Sequence, residues 1–339
     1  MSGQDPHRRL APVVRLAPAK VNLTLALLGA RADGFHELHS IMVPLDLSDR
    51  LSVSVLPAGA ADSLHVTGFD PGPAPENLVL RAIATARRVA HPAWGRREPP
   101  PALAARLDKR IPVAAGLGGG SADAAAAADA ALEAWGVEVE SAARHALFAE
   151  LGSDVPFFLA GGPALVEGRG ERVTPLPWLR DADDAHERPG LLVVTPGLGI
   201  STPAAFRAWD DGARVPGGAA RLASAHLAEE LRKGLKVADL LVRASVLAAA
   251  NDLGPAAAVV EPALVTFKRA LLRLLGRPVG ISGSGPTHWA LYPSLTDAAT
   301  AAGALRAAVA TGELPSPGGR PPFIASTRIL STTTPRRDA

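Results

Sequence analysis

One stretch decides the fold of this chain: Pro112-Val113-Ala114-Ala115-Gly116-Leu117-Gly118-Gly119-Gly120-Ser121-Ala122-Asp123, followed directly by the alanine-rich residues 124–134. Glycines lack a Cβ, so a backbone built from them can close on a ligand. A helix behind them presents free N–H groups and the positive end of its dipole. Ser121 fits the N-cap of that helix, with Asp123 in its first turn. The stretch predicts a phosphate-binding loop, here called the glycine loop (residues 112–122); a flexible loop that only caps a helix fits the same residues.

Other nucleotide and catalytic motifs do not fit this sequence. No Gly-Lys-Ser/Thr follows the glycines at the spacing of a P-loop. Residues 109–112 separate the strand-like residues 102–107 from the glycines, so the tight turn of a dinucleotide-binding fingerprint is missing. The histidines show no His-Glu-x-x-His or paired spacing, so zinc is not expected. No Gly-x-Ser-x-Gly elbow lies between a predicted strand and a predicted helix.

Composition narrows the class of protein. A chain of 339 residues that is 47% hydrophobic can bury a large core, and its length predicts two domains. The net charge of only +2 indicates no basic stripe, so a nucleic-acid partner is not expected. The apolar stretches are short or broken by proline and residues 1–12 have no apolar core, so neither a membrane span nor a secretory signal is expected. The absence of cysteine fits a cytoplasmic enzyme.

The order of predicted elements indicates an α+β fold. The strands are Val13–Leu28, Ile41–Leu56, Ala102–Leu107, Leu191–Thr195, Val279–Ser282, His288–Tyr292 and Phe323–Ile329, and the helices are Asn77–Ala90, Ser121–Trp135, Ser141–Leu151, Thr202–Ala208, Ala219–Leu231, Val237–Ala250, Pro262–Leu275 and Asp297–Val309. In the second half, strand, helix, two strands, helix, strand is the order of a split βαβ (ferredoxin-like) domain. The charged residues 180–190 mark the best boundary. This division gives an N-terminal mixed αβ domain at 10–180, a C-terminal domain at 181–330 and a predicted disordered tail at 331–339.

Two charged residues are candidates for chemistry. Lys20, Asn22 and Thr24 share one face of a predicted strand, a pattern that a half-exposed edge strand would also show. The chain has five lysines against thirty arginines, so a lysine at position 20 suggests that a compact ammonium is needed there. Asp154 follows Gly152 and precedes a proline. It is either the cap of the next turn or, beside a lysine, a base for phosphoryl transfer.

Two further clusters lie in predicted loops. In Asp33-Gly34-Phe35-His36-Glu37-Leu38, an aromatic ring adjoins an imidazole, an arrangement that can stack a flat heterocycle and bind its edge. The same segment is also typical of a plain loop with a solvent-facing histidine. Residues 280–287 join two predicted strands and are also consistent with a glycine-rich hairpin.

Taken together, five segments resemble the 4-diphosphocytidyl-2-C-methyl-D-erythritol kinases, a family of the galactokinase, homoserine, mevalonate and phosphomevalonate kinase superfamily. They are Ala17-Pro18-Ala19-Lys20-Val21-Asn22, Arg31–Leu38, Pro112–Ala125, Leu151–Phe157 and Ser282-Gly283-Ser284-Gly285-Pro286. The glycine loop and the last segment mark only the superfamily, whereas the first, second and fourth are specific to the family. The resemblance covers about residues 15–330 and implies a two-domain small-molecule kinase fold.

The resemblance implies a role for each matching residue. Lys20 and Asp154 match the catalytic pair of the family. Asn22 matches a residue of the acceptor pocket, and His36 matches the residue that forms hydrogen bonds with cytosine. Phe35 stands where the family usually has tyrosine, so stacking is kept and a hydroxyl is lost. The residues that match the ATP-phosphate loop are Pro112, Val113, Ala114, Ala115, Gly116, Leu117, Gly118, Gly119, Gly120, Ser121 and Ala122. Asn77 and Lys109 match positions near the adenosine. Many members carry Ser-Ser-Asn where this chain has Ser121-Ala122-Asp123, which leaves Ser121 as the hydroxyl for phosphate or magnesium.

The implied reaction is ATP-dependent phosphorylation of the 2-hydroxyl of 4-diphosphocytidyl-2-C-methyl-D-erythritol, in the methylerythritol phosphate route to isoprenoid precursors. ATP and Mg²⁺ are the expected cofactors and a small molecule is the expected partner; the oligomeric state stays open. A sister kinase of the superfamily acting on another small alcohol would share the glycine loop and fold. A nucleotide-binding protein without catalysis would keep the glycine loop but should lose Lys20 or Asp154.

Overall fold

The computed structural model describes residues 11–73, 76–179, 188–212 and 218–331. Its strands are β1 (Val13–Ala30), β2 (His36–Val55), β3 (Ser63–Gly68), β4 (Leu103–Lys109), β5 (Ala164–Gly168), β6 (Arg172–Pro175), β7 (Gly190–Thr195), β8 (Gly280–Ile281), β9 (His288–Tyr292) and β10 (Phe323–Arg328). Its helices are α1 (Leu78–Trp94), α2 (Gly119–Trp135), α3 (Ser141–Leu151), α4 (Thr202–Asp210), α5 (Ala219–Arg232), α6 (Val237–Val242), α7 (Ala244–Ala249), α8 (Leu253–Val260), α9 (Ala263–Leu275) and α10 (Leu295–Ala310). No helix in these ranges has the length and apolar character needed to cross a membrane.

The first sheet places the candidate lysine in the interior. Its strand order is β3-β4-β2-β5-β6, and the long strand β1 pairs with β2 outside this path. The β1–β2 register shifts between Pro18 and Lys20 and again between Asn22 and Thr24, as β-bulges do. Helices α2 and α5 both pack against β1, and residues 19–27 are buried without interruption. The half-exposed strand considered for Lys20 is therefore wrong: among the described strands β1 pairs only with β2, yet its polar face lies inside the protein.

The second sheet confirms the ferredoxin-like order. Its strands lie in the order β10-β7-β9-β8, and each neighbouring pair is antiparallel. One hydrophobic cluster contains both Val21 of the first sheet and Trp289 of the second. Because this core continues across the two sheets, the division at residue 180 stays a prediction. Residues 180–187 of that boundary, and 332–339 of the predicted tail, lie outside the described residues.

Several local expectations need correction. Helix α2 begins at Gly119 with Gly118 as N-cap in the left-handed region (φ +68°), so the assignment of Ser121 to the cap was wrong. A glycine takes this φ without steric cost, which a serine does not. Strands β3, β5 and β6 and helix α8 were missed. The predicted helix Val237–Ala250 is divided into α6 and α7. Asn77 is confirmed as the cap of α1, since its Oδ1 accepts from the amide of Val79 at 2.9 Å.

A buried charge cluster fixes the start of α2 against the first sheet. The ammonium of Lys109, at the end of β4, forms ion pairs with Asp49 of β2 and with Asp123 of α2, the latter at 2.8 Å. Asp49 also accepts hydrogen bonds from the amides of Arg110 (2.5 Å) and Ile111 (2.8 Å). Burial raises the pKa of the Asp123 carboxyl to about 7, with Lys109 opposing the shift and Asp49 adding to it. The cluster joins three elements directly beneath the glycine loop.

This raised pKa predicts the sign of a pH effect on stability. Between about pH 4 and pH 7 the folded protein holds a proton on Asp123 that the unfolded chain has lost, so the free energy of unfolding falls as pH rises. The slope from one such group is at most about 1.4 kcal/mol per pH unit. We expect Asp123→Asn to flatten this slope in urea unfolding measured at a series of pH values. Asp129→Asn, in the same helix but paired with Arg144 at the surface, should keep the wild-type slope. Equal slopes for wild type and Asp123→Asn would contradict the assignment.

Candidate active site

A cleft of about 620 Å³ brings most of the predicted site residues together. Its walls come from β1, the glycine loop, the segment before the 3₁₀ turn Val155–Leu159, α4, and the loop after β8. The sequence-predicted residues that line it are Lys20, Asn22, Phe35, His36, Gly116, Gly118, Ser121 and Asp154. The half of the chain that carries the first sheet and the half that carries the second therefore both contribute residues to one site.

Lys20 and Asp154 form the ion pair that the sequence pattern suggested. The Nζ of Lys20 lies 3.2 Å from Oδ2 of Asp154 and 2.8 Å from Oδ1 of Asn22. Asn22 is held in this orientation because its Nδ2 donates to Oγ of Ser40 at 2.8 Å. Asp154 makes no capping hydrogen bond with its side chain, and that side chain is 35% exposed in the cleft. A carboxylate so placed can accept a proton from a bound hydroxyl.

The glycine loop reaches the cleft through its glycines. Gly116 (φ +77°) and Gly118 (φ +68°) adopt the left-handed region, and a Cβ on Gly118 would lie 2.8 Å from Cγ of Lys20. The amide of Lys20 donates to the carbonyl of Leu117 at 2.8 Å, which fixes the loop to β1. The N-terminus of α2, at Gly119, follows directly, so the geometry for binding phosphate oxygens through free N–H groups is present.

The serine–glycine loop (residues 282–286) connects the two halves of the site. Oγ of Ser282 donates to the carbonyl of Gly116 at 2.9 Å and accepts from the amide of Asn22 at 3.2 Å. A Cβ on Gly116 would lie 2.4 Å from the carbonyl oxygen of Ser282, so only glycine fits at this contact. Sequence reasoning assigned no role to Ser282, although the density of small residues in this segment was a usable signal of close backbone approach.

The opposite end of the cleft is aromatic. His36 stacks on Phe206 with ring centroids 4.9 Å apart and meets the edge of Trp209 at 5.4 Å. Phe35 is 45% exposed, and the guanidinium of Arg169 lies 5.1 Å from its ring centroid. His36 is the first residue of β2 and its side chain is largely buried, so the alternative of a solvent-facing histidine is wrong, although residues 32–35 before it form a turn. Phe206 and Arg169 were not predicted, because nothing in their local sequence distinguishes them.

Some predicted residues lie away from the cleft or face the interior. Lys109 is buried in its pairs with Asp49 and Asp123, and Asn77 caps α1; neither lines the cleft. In the glycine loop, Ala115, Leu117, Gly119 and Ala122 are buried, Val113, Ala114 and Gly120 are exposed, and Pro112 is half-buried. The nucleotide-binding roles of these residues stay predictions.

The oxygen atoms in the cleft suit a cation such as Mg²⁺ that is bound mainly by the phosphates of a ligand. Among the described residues, no group of three or more histidines and carboxylates could hold a metal ion. Mg²⁺ usually binds proteins through one or two oxygen ligands and takes the rest from phosphates and water. Ser121 and Asp154, both lining the cleft, supply such oxygens.

Comparisons with known proteins identify the family of this chain. Residues 77–162 match the family described as GHMP kinases N terminal domain, and residues 227–311 match GHMP kinases C terminal. The chain is 39% identical to the 4-diphosphocytidyl-2-C-methyl-D-erythritol kinase of Pelotomaculum thermopropionicum, covering 84% of this chain and 91% of that one. The chain belongs to the 4-diphosphocytidyl-2-C-methyl-D-erythritol kinase family. It is 38% identical to the same kinase of Deinococcus radiodurans, over 87% and 90% of the two chains.

One solved structure supports the family assignment, and a second shows the same fold in a more distant protein. A crystal structure of 4-(cytidine 5'-diphospho)-2C-methyl-D-erythritol kinase matches with a TM-score of 0.65 and 32% identity, over 93% of this chain and 99% of that one. Homoserine kinase from Cytophaga hutchinsonii matches with a TM-score of 0.66 over 98% of both chains, but at 20% identity it shows only a shared fold. The chain is thus a small-molecule kinase that uses ATP.

A side chain at position 118 is expected to displace Lys20, because its Cβ would lie within 2.8 Å of Cγ of that residue. An alanine at 118 adds left-handed strain of about 1–2 kcal/mol and presses on the methylenes of Lys20. Lys20 is predicted to be catalytic, and displacing such a group by about 1 Å costs about 100-fold in rate, so kcat/KM should fall by about that factor. Gly136 has a similar φ (+64°) with nothing within 4 Å of a built Cβ, so Gly136→Ala is the matched control.

We expect both variants to lose similar stability in thermal unfolding, and only Gly118→Ala to lose activity. Equal kinetics for the two would show that Gly118 does not position Lys20.

Proposed function

We propose that this kinase transfers the terminal phosphoryl group of ATP to the 2-hydroxyl of 4-diphosphocytidyl-2-C-methyl-D-erythritol, with Lys20 and Asp154 as the catalytic pair. The product would enter the methylerythritol phosphate route to isoprenoid precursors. One observation carries the proposal: the Lys20–Asp154 pair, 3.2 Å apart, lies beside the glycine loop in a cleft whose other end is aromatic. The glycine loop suits the phosphates of a nucleoside triphosphate. The aromatic end suits the pyrimidine ring of a cytidylyl alcohol.

The acceptor is a tertiary alcohol, which is a hindered and weak nucleophile. In the proposed step, Asp154 accepts the hydroxyl proton, the oxygen forms a bond to the γ-phosphorus, and the bond from that phosphorus to the β–γ bridging oxygen breaks to release ADP. Lys20 orients Asp154 and stabilises negative charge near the transferred group. Asn22, fixed by Ser40, keeps the ammonium in place. A loose transition state makes positioning and electrostatics the main sources of rate.

The phosphates of ATP are proposed to lie over residues 116–121, at the start of α2, where the first amides of a helix have no partner within it. Mg²⁺, with Ser121 as its protein ligand, would neutralise charge on the outer phosphoryl groups. Arg169 adds a positive charge at the aromatic end of the cleft, beside Phe35, where it can pair with the diphosphate of the acceptor.

The cytosine is proposed to lie at the aromatic end. Phe35 offers a ring face for stacking once Arg169 turns to the diphosphate, and His36 faces the edge of the base. Stacking on one aromatic ring contributes about 1–3 kcal/mol per base in nucleic-acid proteins, which a phenylalanine supplies as a tyrosine does.

The catalytic pair is tested by substitution. We expect Asp154→Asn and Lys20→Met each to lower kcat by about 10²–10⁴-fold, the range that a positioned acid or base supplies, while ATP still binds in calorimetry. Glu150→Gln, which removes an exposed partner of Arg88 nearby in the sequence, should retain wild-type kinetics. A folded Asp154→Asn protein with near-normal turnover would refute the role of Asp154 as base.

A further inference from the structure

Helix α4 holds the imidazole of His36 on three sides. Phe206 stacks on the ring with an interplanar angle of 27°, Trp209 meets it edge-on, and Oδ1 of Asp210 lies 2.9 Å from Nε2. Trp209 and Asp210 follow Phe206 by three and four residues, so all three side chains share one face of the helix. The side chain of His36 is only 9% exposed. Its ring therefore has one orientation, set by α4.

The contact with Asp210 also selects the tautomer of His36. An ionised carboxylate can only accept a hydrogen bond, so the nitrogen that faces it must carry the proton. In a neutral imidazole with hydrogen on Nε2, Nδ1 is a bare acceptor. Nδ1 makes no hydrogen bond within the part of the chain that the structure describes. His36 thus presents an acceptor for a ligand in the cleft that it lines.

We infer that Asp210 is a positioning residue that sets the base preference of this kinase, because it fixes His36 Nδ1 as a hydrogen-bond acceptor. This inference rests on the proposed function, in which His36 faces the pyrimidine. At position 4, cytosine carries an amino group, which donates, whereas uracil carries a carbonyl oxygen, which accepts. His36 Nδ1 accepts a hydrogen bond from the amino group of cytosine. It repels the carbonyl oxygen of uracil, because two acceptors then face each other and neither has a donor.

Asp210 belongs to none of the sequence motifs described above. Asp210 lies 174 positions from His36, at the end of a helix whose own sequence carries no signal of function. Its neighbour Asp211 is the C-cap of α4 and does not contact His36, which makes it a matched control on the same helix end.

The test compares wild type, Asp210→Asn, Asp210→Ala and Asp211→Asn on the cytidylyl substrate and its uridylyl analogue. An asparagine can present either Oδ1 or Nδ2–H to Nε2, so it no longer selects hydrogen on Nε2, and in the form with hydrogen on Nδ1 the acceptor becomes a donor. We expect the ratio of kcat/KM for the cytidylyl over the uridylyl substrate to fall at least tenfold in Asp210→Asn. It should fall less in Asp210→Ala and stay unchanged in Asp211→Asn. An unchanged ratio in both Asp210→Asn and Asp210→Ala would overturn the inference.

A second readout reports the tautomer itself. Long-range ¹H–¹⁵N correlations of the histidine rings distinguish hydrogen on Nε2 from hydrogen on Nδ1, and a merely structural role for Asp210 would not move them. We expect the Nε2–H form in wild type and a shift toward Nδ1–H in Asp210→Asn, with calorimetry on CDP and UDP changing in the same sense. Hydrogen on Nδ1 in the wild type would overturn the inference while leaving the proposed function intact. A wild type that phosphorylates no cytidylyl substrate would overturn the proposed function, and the inference with it.

Discussion

The site depends on one buried charge. Lys20 is 3% exposed, on a strand with no solvent-facing side between residues 19 and 27. A charge in the protein interior is strongly unfavourable unless it is paired and hydrogen-bonded, so the ammonium requires both Asn22 and Asp154. Asp154 comes from a different part of the chain, at the start of a 3₁₀ turn. The same ion pair that stabilises Lys20 therefore also places the proposed base beside the glycine loop.

The surrounding contacts turn this pair into a site. Leu117 binds the backbone of Lys20, and Ser282 binds both Gly116 and Asn22, so the second half of the chain closes the site made by the first. Because Gly116 has no Cβ, the two loops can meet backbone to backbone. Both halves must pack together before the cleft exists, which agrees with a hydrophobic cluster that spans the two sheets.

The sequence predicted the local parts of this arrangement well. The glycine loop, the cap at Asn77 and the ferredoxin-like order depend on short-range residue chemistry, and the structure confirms the helix behind the glycines, the cap and the order. The scarcity of lysine drew attention to Lys20, which the structure places in the cleft. Its burial was missed, because alternation along one strand cannot show what packs on each face.

Contacts between distant residues were beyond prediction. Ser282 meets Asn22 across 260 positions and Asp210 meets His36 across 174, so no spacing rule connects them. The short strands β5 and β6 were missed for the same reason, since their pairing partners define them more than their own residues do. The domain boundary, the cytoplasmic location and the roles of Asn77 and Lys109 at the nucleotide stay predictions.

The most direct measurement of the central claim is a product assay with ATP and 4-diphosphocytidyl-2-C-methyl-D-erythritol, followed by ³¹P NMR. The account predicts one ADP for each new phosphomonoester, formed on the tertiary 2-hydroxyl, with the cytidine diphosphate linkage intact. ATP hydrolysis without transfer, or transfer only to an alcohol that lacks the cytidylyl group, would contradict it.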